Sequence, residues 1–155
     1  MDTFAGASGV YARRFERLDR VVELGFASGR LIAVSFVDEP PSDADDEHPV
    51  LDRIGEYLAG QQEDFSDVEV AFTVGADERS ALESLREVPY GESASVSQVV
   101  RMAARDPNDA DDITLIKQGI AKNPTPLIVP DHRIQGSDGS TPPAIREILR
   151  DIEGI

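Results

Sequence analysis

The sequence predicts an α+β fold in two parts, a first domain over residues 1–76 and a second over 77–155. Three patterns predict it. Residues 9–36 alternate β-forming runs with a tight Ser28-Gly29-Arg30 turn, as an antiparallel meander does. From residue 77 onward, apolar residues recur at helical spacing in four successive segments. Between the last two lies an apolar run, Leu127-Ile128-Val129, fenced by Pro126 and Pro130 and followed at once by Asp131, His132 and Arg133.

In the first domain, strands are expected over Gly9–Arg13, Arg20–Phe26 and Leu31–Phe36. Asp38–His48, with two prolines and then Asp43, Asp45, Asp46 and Glu47, reads as a solvated loop. The alternative, a metal site from these carboxylates, lacks the Gly and Glu spacing of a calcium loop. Pro49–Ala59 is a helix whose Val50, Leu51, Ile54, Tyr57 and Leu58 share one face. Val68–Val74 alternates apolar and polar residues and predicts a further strand, with the domain boundary at Gly75-Ala76.

In the second domain, Asp77 is placed to cap a helix carrying Ala81, Leu82, Leu85 and Val88, which Pro89-Tyr90-Gly91 ends. Ser95 with Gln98 forms a capping box for the next helix. Asp112 opens a third helix that stops before Asn123-Pro124. Helix, break, helix, connector and helix make a helix-turn-helix-like arrangement. Leu127–Val129 is expected to be extended and buried. A Gly136-Ser137-Asp138-Gly139 turn then leads to a last helix over Pro143–Ile152.

The chain has 15 Lys and Arg against 30 Asp and Glu, for a net charge of −15. Residues 1–76 hold 6 basic against 16 acidic residues, and residues 77–155 hold 9 against 14. By sign alone this disfavours nucleic acid. Only Lys117 and Lys122 are lysines. An acid-rich, lysine-poor surface is what solubility in concentrated salt favours, so a halophilic source is expected, with an acidic partner-binding protein of ordinary cytoplasm as the alternative. No segment has the length of a membrane span and no secretory leader is legible, so a cytoplasmic location is expected. There is no cysteine, which excludes disulfides and thiolate chemistry. His48 lies in the acidic loop and His132 has no second ligand at standard spacing, so no metal and no cofactor are expected.

The stretch Asn123-Pro124, apolar run, Pro130-Asp131-His132-Arg133-Ile134 resembles the active-site segment of the methylated-DNA–protein-cysteine methyltransferases, which reads Asn-Pro, apolar run, Pro-Cys-His-Arg-Val. The likeness continues at Val88-Pro89-Tyr90-Gly91-Glu92-Ser93 and Ser95, similar to the family's Ile-Pro-Tyr-Gly-Glu-Thr and following Ser, and at a C-terminal helix that places a Glu at Glu153. It covers about residues 77–155 with specific motifs. The resemblance implies a small ribonuclease-H-like α/β domain followed by a winged-helix-like domain. It also implies a haloarchaeal member lacking the acceptor cysteine, since position 131 is Asp.

In that family a Cys-His-water-Glu relay delivers a thiolate to the alkyl group of a flipped guanine. The resemblance puts Asp131 at the nucleophile, with His132 and Glu153 in the relay. It puts Pro130, Arg133 and Ile134 around the pocket and makes Asn123 a hinge. Thr114 stands where the family's intercalating Arg belongs, and Val96 where its phosphate-rotating Tyr belongs. Arg101, Arg105, Lys117, Gln118 and Lys122 are candidate phosphate contacts. A carboxylate is a poor nucleophile toward an alkyl ether. The expectation is therefore a DNA-repair-related, alkyltransferase-like protein that binds double-stranded DNA or alkylated bases without alkyl transfer. A repair protein is a further candidate partner. Beside His132, Asp131 is expected to form a charge-assisted hydrogen bond. Two alternatives stay open: a small-molecule enzyme using Asp131 and His132 as an acid–base pair, and a non-catalytic protein-interaction domain on the same fold.

Overall fold

The computed structural model describes residues 9–155. The chain divides into two compact units, Met1–Ala71 and Phe72–Ile155.

In the first unit, β1 (Gly9–Phe15), β2 (Arg20–Ala27) and β3 (Arg30–Val37) form an antiparallel meander in that order. Alternation along β2 buries Val22, Leu24 and Phe26 on one face. A bulge at Gly25/Phe26 shifts the register so that Leu31 meets Phe26. Helix α1 (Pro49–Leu58) buries the five apolar residues expected of it. Its cap is His48, whose Nδ1 accepts from Val50 N at 3.1 Å while its ring stacks on Phe26 at 4.5 Å. The predicted strand over Val68–Val74 does not form. Leu31 N donates to Glu69 O and Ala71 N donates to Leu31 O, both at 2.9 Å, and pairing ends there. The reason lies further on: Phe72 and Val74 pack against the helical core of the second unit, so alternation there reflects that packing and not a ladder.

The second unit is helical. Its elements are α2 (Ala76–Leu85), β4 (Ala94–Ser95), α3 (Val96–Met102), α4 (Ala110–Ala121), a 3-10 turn (Asp131–Arg133), β5 (Ile134–Gln135) and α5 (Pro143–Glu153). Leu82, Leu85, Val99, Val100, Ile116, Ile120, Val129 and Ile134 form its core. Two caps differ from expectation. Gly75, not Asp77, is the N-cap of α2, and Asp77 instead pairs with Arg105. Asp109, not Asp112, caps α4, accepting from Asp111 N and Asp112 N. In both cases the acidic residue sits in the first turn, where the helix dipole also favours it. The capping box at Ser95 is present: Gln98 N donates to Ser95 Oγ at 3.2 Å and Ser95 N to Gln98 Oε1 at 2.7 Å. β4 and β5 pair in parallel, Ala94 with Ile134 and Ser95 with Gln135.

The run Leu127-Ile128-Val129 is buried as expected, but it is a turn rather than an extended segment. Leu127 has φ of 75° and Val129 N donates back to Thr125 O at 2.9 Å. A left-handed leucine costs about 1–2 kcal/mol. Asn123 holds it there: its Oδ1 accepts from Thr125 N at 3.0 Å and its Nδ2 donates to Val129 O at 2.9 Å. Among the described residues, no helix is long and apolar enough to cross a membrane.

Candidate functional site

The 3-10 turn delivers Asp131, His132 and Arg133 into the interior, where each is 2% exposed or less. Adjacent in sequence, they enter two separate networks.

Asp131 faces the segment between β5 and α5. Its Oδ2 accepts from Ser140 N at 2.9 Å, from Asn123 Nδ2 at 3.1 Å and from Thr141 N at 3.3 Å, and its Oδ1 accepts from Thr141 Oγ1 at 2.5 Å. Ser140 Oγ also lies 3.3 Å from Oδ2, but its single proton goes to Asn123 O at 2.6 Å. Four donors, three on Oδ2 and one on Oδ1, therefore engage a carboxylate that has no cationic side chain bonded to it among the described residues. Gly139 presses on it so closely that an added Cβ would overlap the Asp131 side chain. The segment over Asp131 leaves no room for even a methyl group on that side.

His132 faces the other way, onto α5. A carboxylate can only accept, so His132 Nε2 carries the proton it shares with Glu153 Oε2 at 2.5 Å. Arg133 grips the same carboxylate with two donors, Nε to Oε1 at 2.7 Å and Nη2 to Oε2 at 3.3 Å. Its Nη1 donates to Val88 O at 2.8 Å, and its guanidinium lies 5.8 Å from the centroid of the Tyr90 ring. Gly91 N closes the set, donating to Glu153 Oε1 at 3.0 Å from a turn whose φ of 77° favours glycine. Arg150 of α5 donates to His132 O at 2.8 Å. The buried glutamate thus joins the last helix, the 3-10 turn and the Pro89-Tyr90-Gly91 turn.

This corrects the expected Asp131–His132 hydrogen bond: Asp131 binds Ser140 and Thr141, and His132 binds Glu153. Pro130, Arg133 and Ile134, expected around a pocket, are all buried in packed protein. Asn123 bonds the backbone at the turn and also Asp131.

The residues expected to face DNA are dispersed over α3 and α4. Arg101, Lys117 and Gln118 are exposed. Thr114 is exposed too, but its hydroxyl donates to Ala110 O at 2.9 Å. Lys122 pairs with Glu78 at 3.5 Å, and Arg105 is held by Asp77 and Asp112, so neither is a free surface cation. Sequence reasoning missed Gly139, Ser140 and Thr141. Two hydroxyl residues directly after a Gly-Ser-Asp-Gly turn were the available signal. Among the described residues, no group of three His, Asp or Glu side chains is placed to hold a metal.

Residues 77–151 match the family model described as 6-O-methylguanine DNA methyltransferase, DNA binding domain. A methylated-DNA–protein-cysteine methyltransferase of Methanopyrus kandleri is 30% identical over 92 residues, covering 59% of this chain and 66% of that protein. The match spans about half of two further relatives, from Bacillus subtilis and Methanothermobacter thermautotrophicus. The crystal structure of the O6-methylguanine methyltransferase of Mycobacterium tuberculosis superposes with a TM-score of 0.72 at 18% identity, covering 94% of this chain and 93% of that one. A structure of that organism's protein in complex with DNA gives 0.69 at 19% identity, covering 93% and 91%. The fold is the mixed α+β fold of the O6-methylguanine methyltransferases. The second half of the chain, residues 77–151, is thus similar to the DNA-binding domain of the O6-methylguanine methyltransferases.

Proposed function

We propose that this protein is an alkyltransferase-like member of the methylated-DNA–protein-cysteine methyltransferase family that binds double-stranded DNA without accepting an alkyl group, its acceptor position serving as a structural clasp. The observation that carries this is the state of Asp131. It stands where the resemblance puts the sulfur nucleophile, and it is buried, held by four donors and pressed on one side by Gly139. A carboxylate so engaged is committed to holding the Ser140-Thr141 segment, and Gly139 closes one side of it. DNA binding itself is supported by the match to a DNA-binding-domain family and by the exposed Arg101, Lys117 and Gln118 on α3 and α4. The absent intercalating Arg and phosphate-rotating Tyr favour binding of unflipped duplex.

On the same reading, the meander with α1 corresponds to a ribonuclease-H-like domain, and α2–α4 with the β4–β5 pair to a winged-helix-like one. The charge of −15 with two lysines supports a cytoplasmic, salt-adapted, haloarchaeal setting.

The test is fluorescence anisotropy on matched duplexes with and without O6-methylguanine, from about 0.1 M to molar KCl, followed by intact-mass measurement. Equal affinities and an unchanged protein mass are expected. A clear preference for the lesion, or a stoichiometric gain of one methyl group, would refute the clasp reading. No binding to either duplex would refute the DNA reading.

A further inference from the structure

A cleft of about 410 Å³ opens between β5 and α5, lined by Gln135, Gly136, Pro143, Arg146, Glu147 and Arg150. None of these residues belongs to the Asp131 clasp or to the exposed set on α4. Two guanidiniums one helical turn apart line it, in a chain whose net charge is strongly negative.

Both are pre-positioned by main-chain carbonyls. Arg146 Nη2 donates to Ile134 O at 2.9 Å and Arg150 Nη1 donates to His132 O at 2.8 Å. These bonds fix the planes of both forks while leaving further N–H donors on each. Arg146 Nε is buried and has no acceptor among the described residues. Its remaining tie, Nη1 to Asp138 at 3.2 Å, is to a side chain that is 96% exposed, a surface pair that an incoming anion displaces at little cost. Gln135 donates from Nε2 to Ser93 Oγ at 3.0 Å, and Gly136 lies near Val96 at the start of α3. The cleft therefore borders the first helix of the helix-turn-helix-like pair. Glu147 is the one carboxylate lining it among the described residues.

We infer that this cleft is an oxyanion site in which Arg146 and Arg150 take a phosphate group, with the phosphodiester of bound DNA as its source. The inference rests on the DNA-binding reading above and adds to it a backbone contact from the last helix. Planar forks suit phosphate oxygens, and pre-positioned ones lose less freedom on binding. Glu147 opposes the anion, so it limits affinity and offers a test of opposite sign.

The experiment measures duplex affinity against KCl concentration for the wild type, the R146Q/R150Q pair, E147Q, and K117Q as a reference on α4. The pair should lower the slope of log affinity against log salt by about 0.9, the value for one phosphate contact. E147Q, at an exposed position, should bind several-fold tighter, and this holds as a test even if the arginine pair fails to fold. Wild-type affinity and slope in both cleft variants, with K117Q weakened, would overturn the cleft and leave the DNA reading intact. If the wild type binds no duplex, inorganic phosphate decides. A rise in melting temperature in the wild type that the arginine pair lacks would assign the cleft to a free oxyanion, and no rise would overturn it.

Discussion

Restoring sulfur at position 131 should not restore an acceptor. In Asp131→Cys the four donors now satisfied by the carboxylate lose their partner. Asn123 Nδ2 keeps Val129 O, Thr141 Oγ1 can rotate, and the amide of the exposed Ser140 regains water, so the cost falls mainly on Thr141 N and on the Asn123 amide. At about 1–3 kcal/mol per buried donor left unmet, offset by relief from burying a carboxylate, the net loss is about 2–4 kcal/mol. For a chain of this length that lowers the melting temperature by roughly 5–15 °C. Asp131→Asn, which keeps an oxygen for the three donors around Oδ2, should lose only about 1 kcal/mol. Differential scanning fluorimetry gives the order wild type, Asn, Cys. Intact-mass measurement after incubation with methylated duplex should show no adduct on the cysteine variant, because Gly139 still covers the sulfur. A methyl group carried by the D131C protein, or a D131C protein that melts with the wild type, would refute this reasoning.

Two further predictions concern other buried groups. Glu153→Ala strands Arg133 and His132 without their shared acceptor and should cost about 3–5 kcal/mol in a urea melt, whereas Glu153→Gln should cost less. Burial holds the His48 imidazole below its usual range, against the pull of Asp52. Its folded pKa is thus depressed, so its stabilising contribution is complete above about pH 6.5 and is lost as pH falls from there toward the folded value. A melting-temperature series from about pH 8 to 5 should show this step, and His48→Asn, which can still cap α1, should flatten it.

Elements set by local chemistry were legible in the sequence. The meander follows from its turn and its alternation, and α3 from the Ser95–Gln98 box. What was not legible depended on partners far along the chain. Leu127 adopts a left-handed conformation because the Asn123 side chain bonds both sides of the turn, whereas the prolines around it suggested extension. Val68–Val74 carries a strand's alternation, yet Phe72 and Val74 are committed to helical packing. At the site, the resemblance located Asp131, His132 and Glu153, and His132 does meet Glu153. The destination of Asp131 depended on how tightly Gly139-Ser140-Thr141 folds back, which no periodicity encodes.

The single bridges on the meander's two outer strands have a consequence for colloidal behaviour. Tyr11 of β1 is bridged by Asp45, and Leu31 of β3 by Val70, each from a passing loop. These loops occupy main-chain groups that would otherwise template a neighbour's strand. The acidic 43–47 loop therefore serves as a guard rail as well as a linker, and excising it should promote edge-to-edge self-association, visible as a larger species in light scattering.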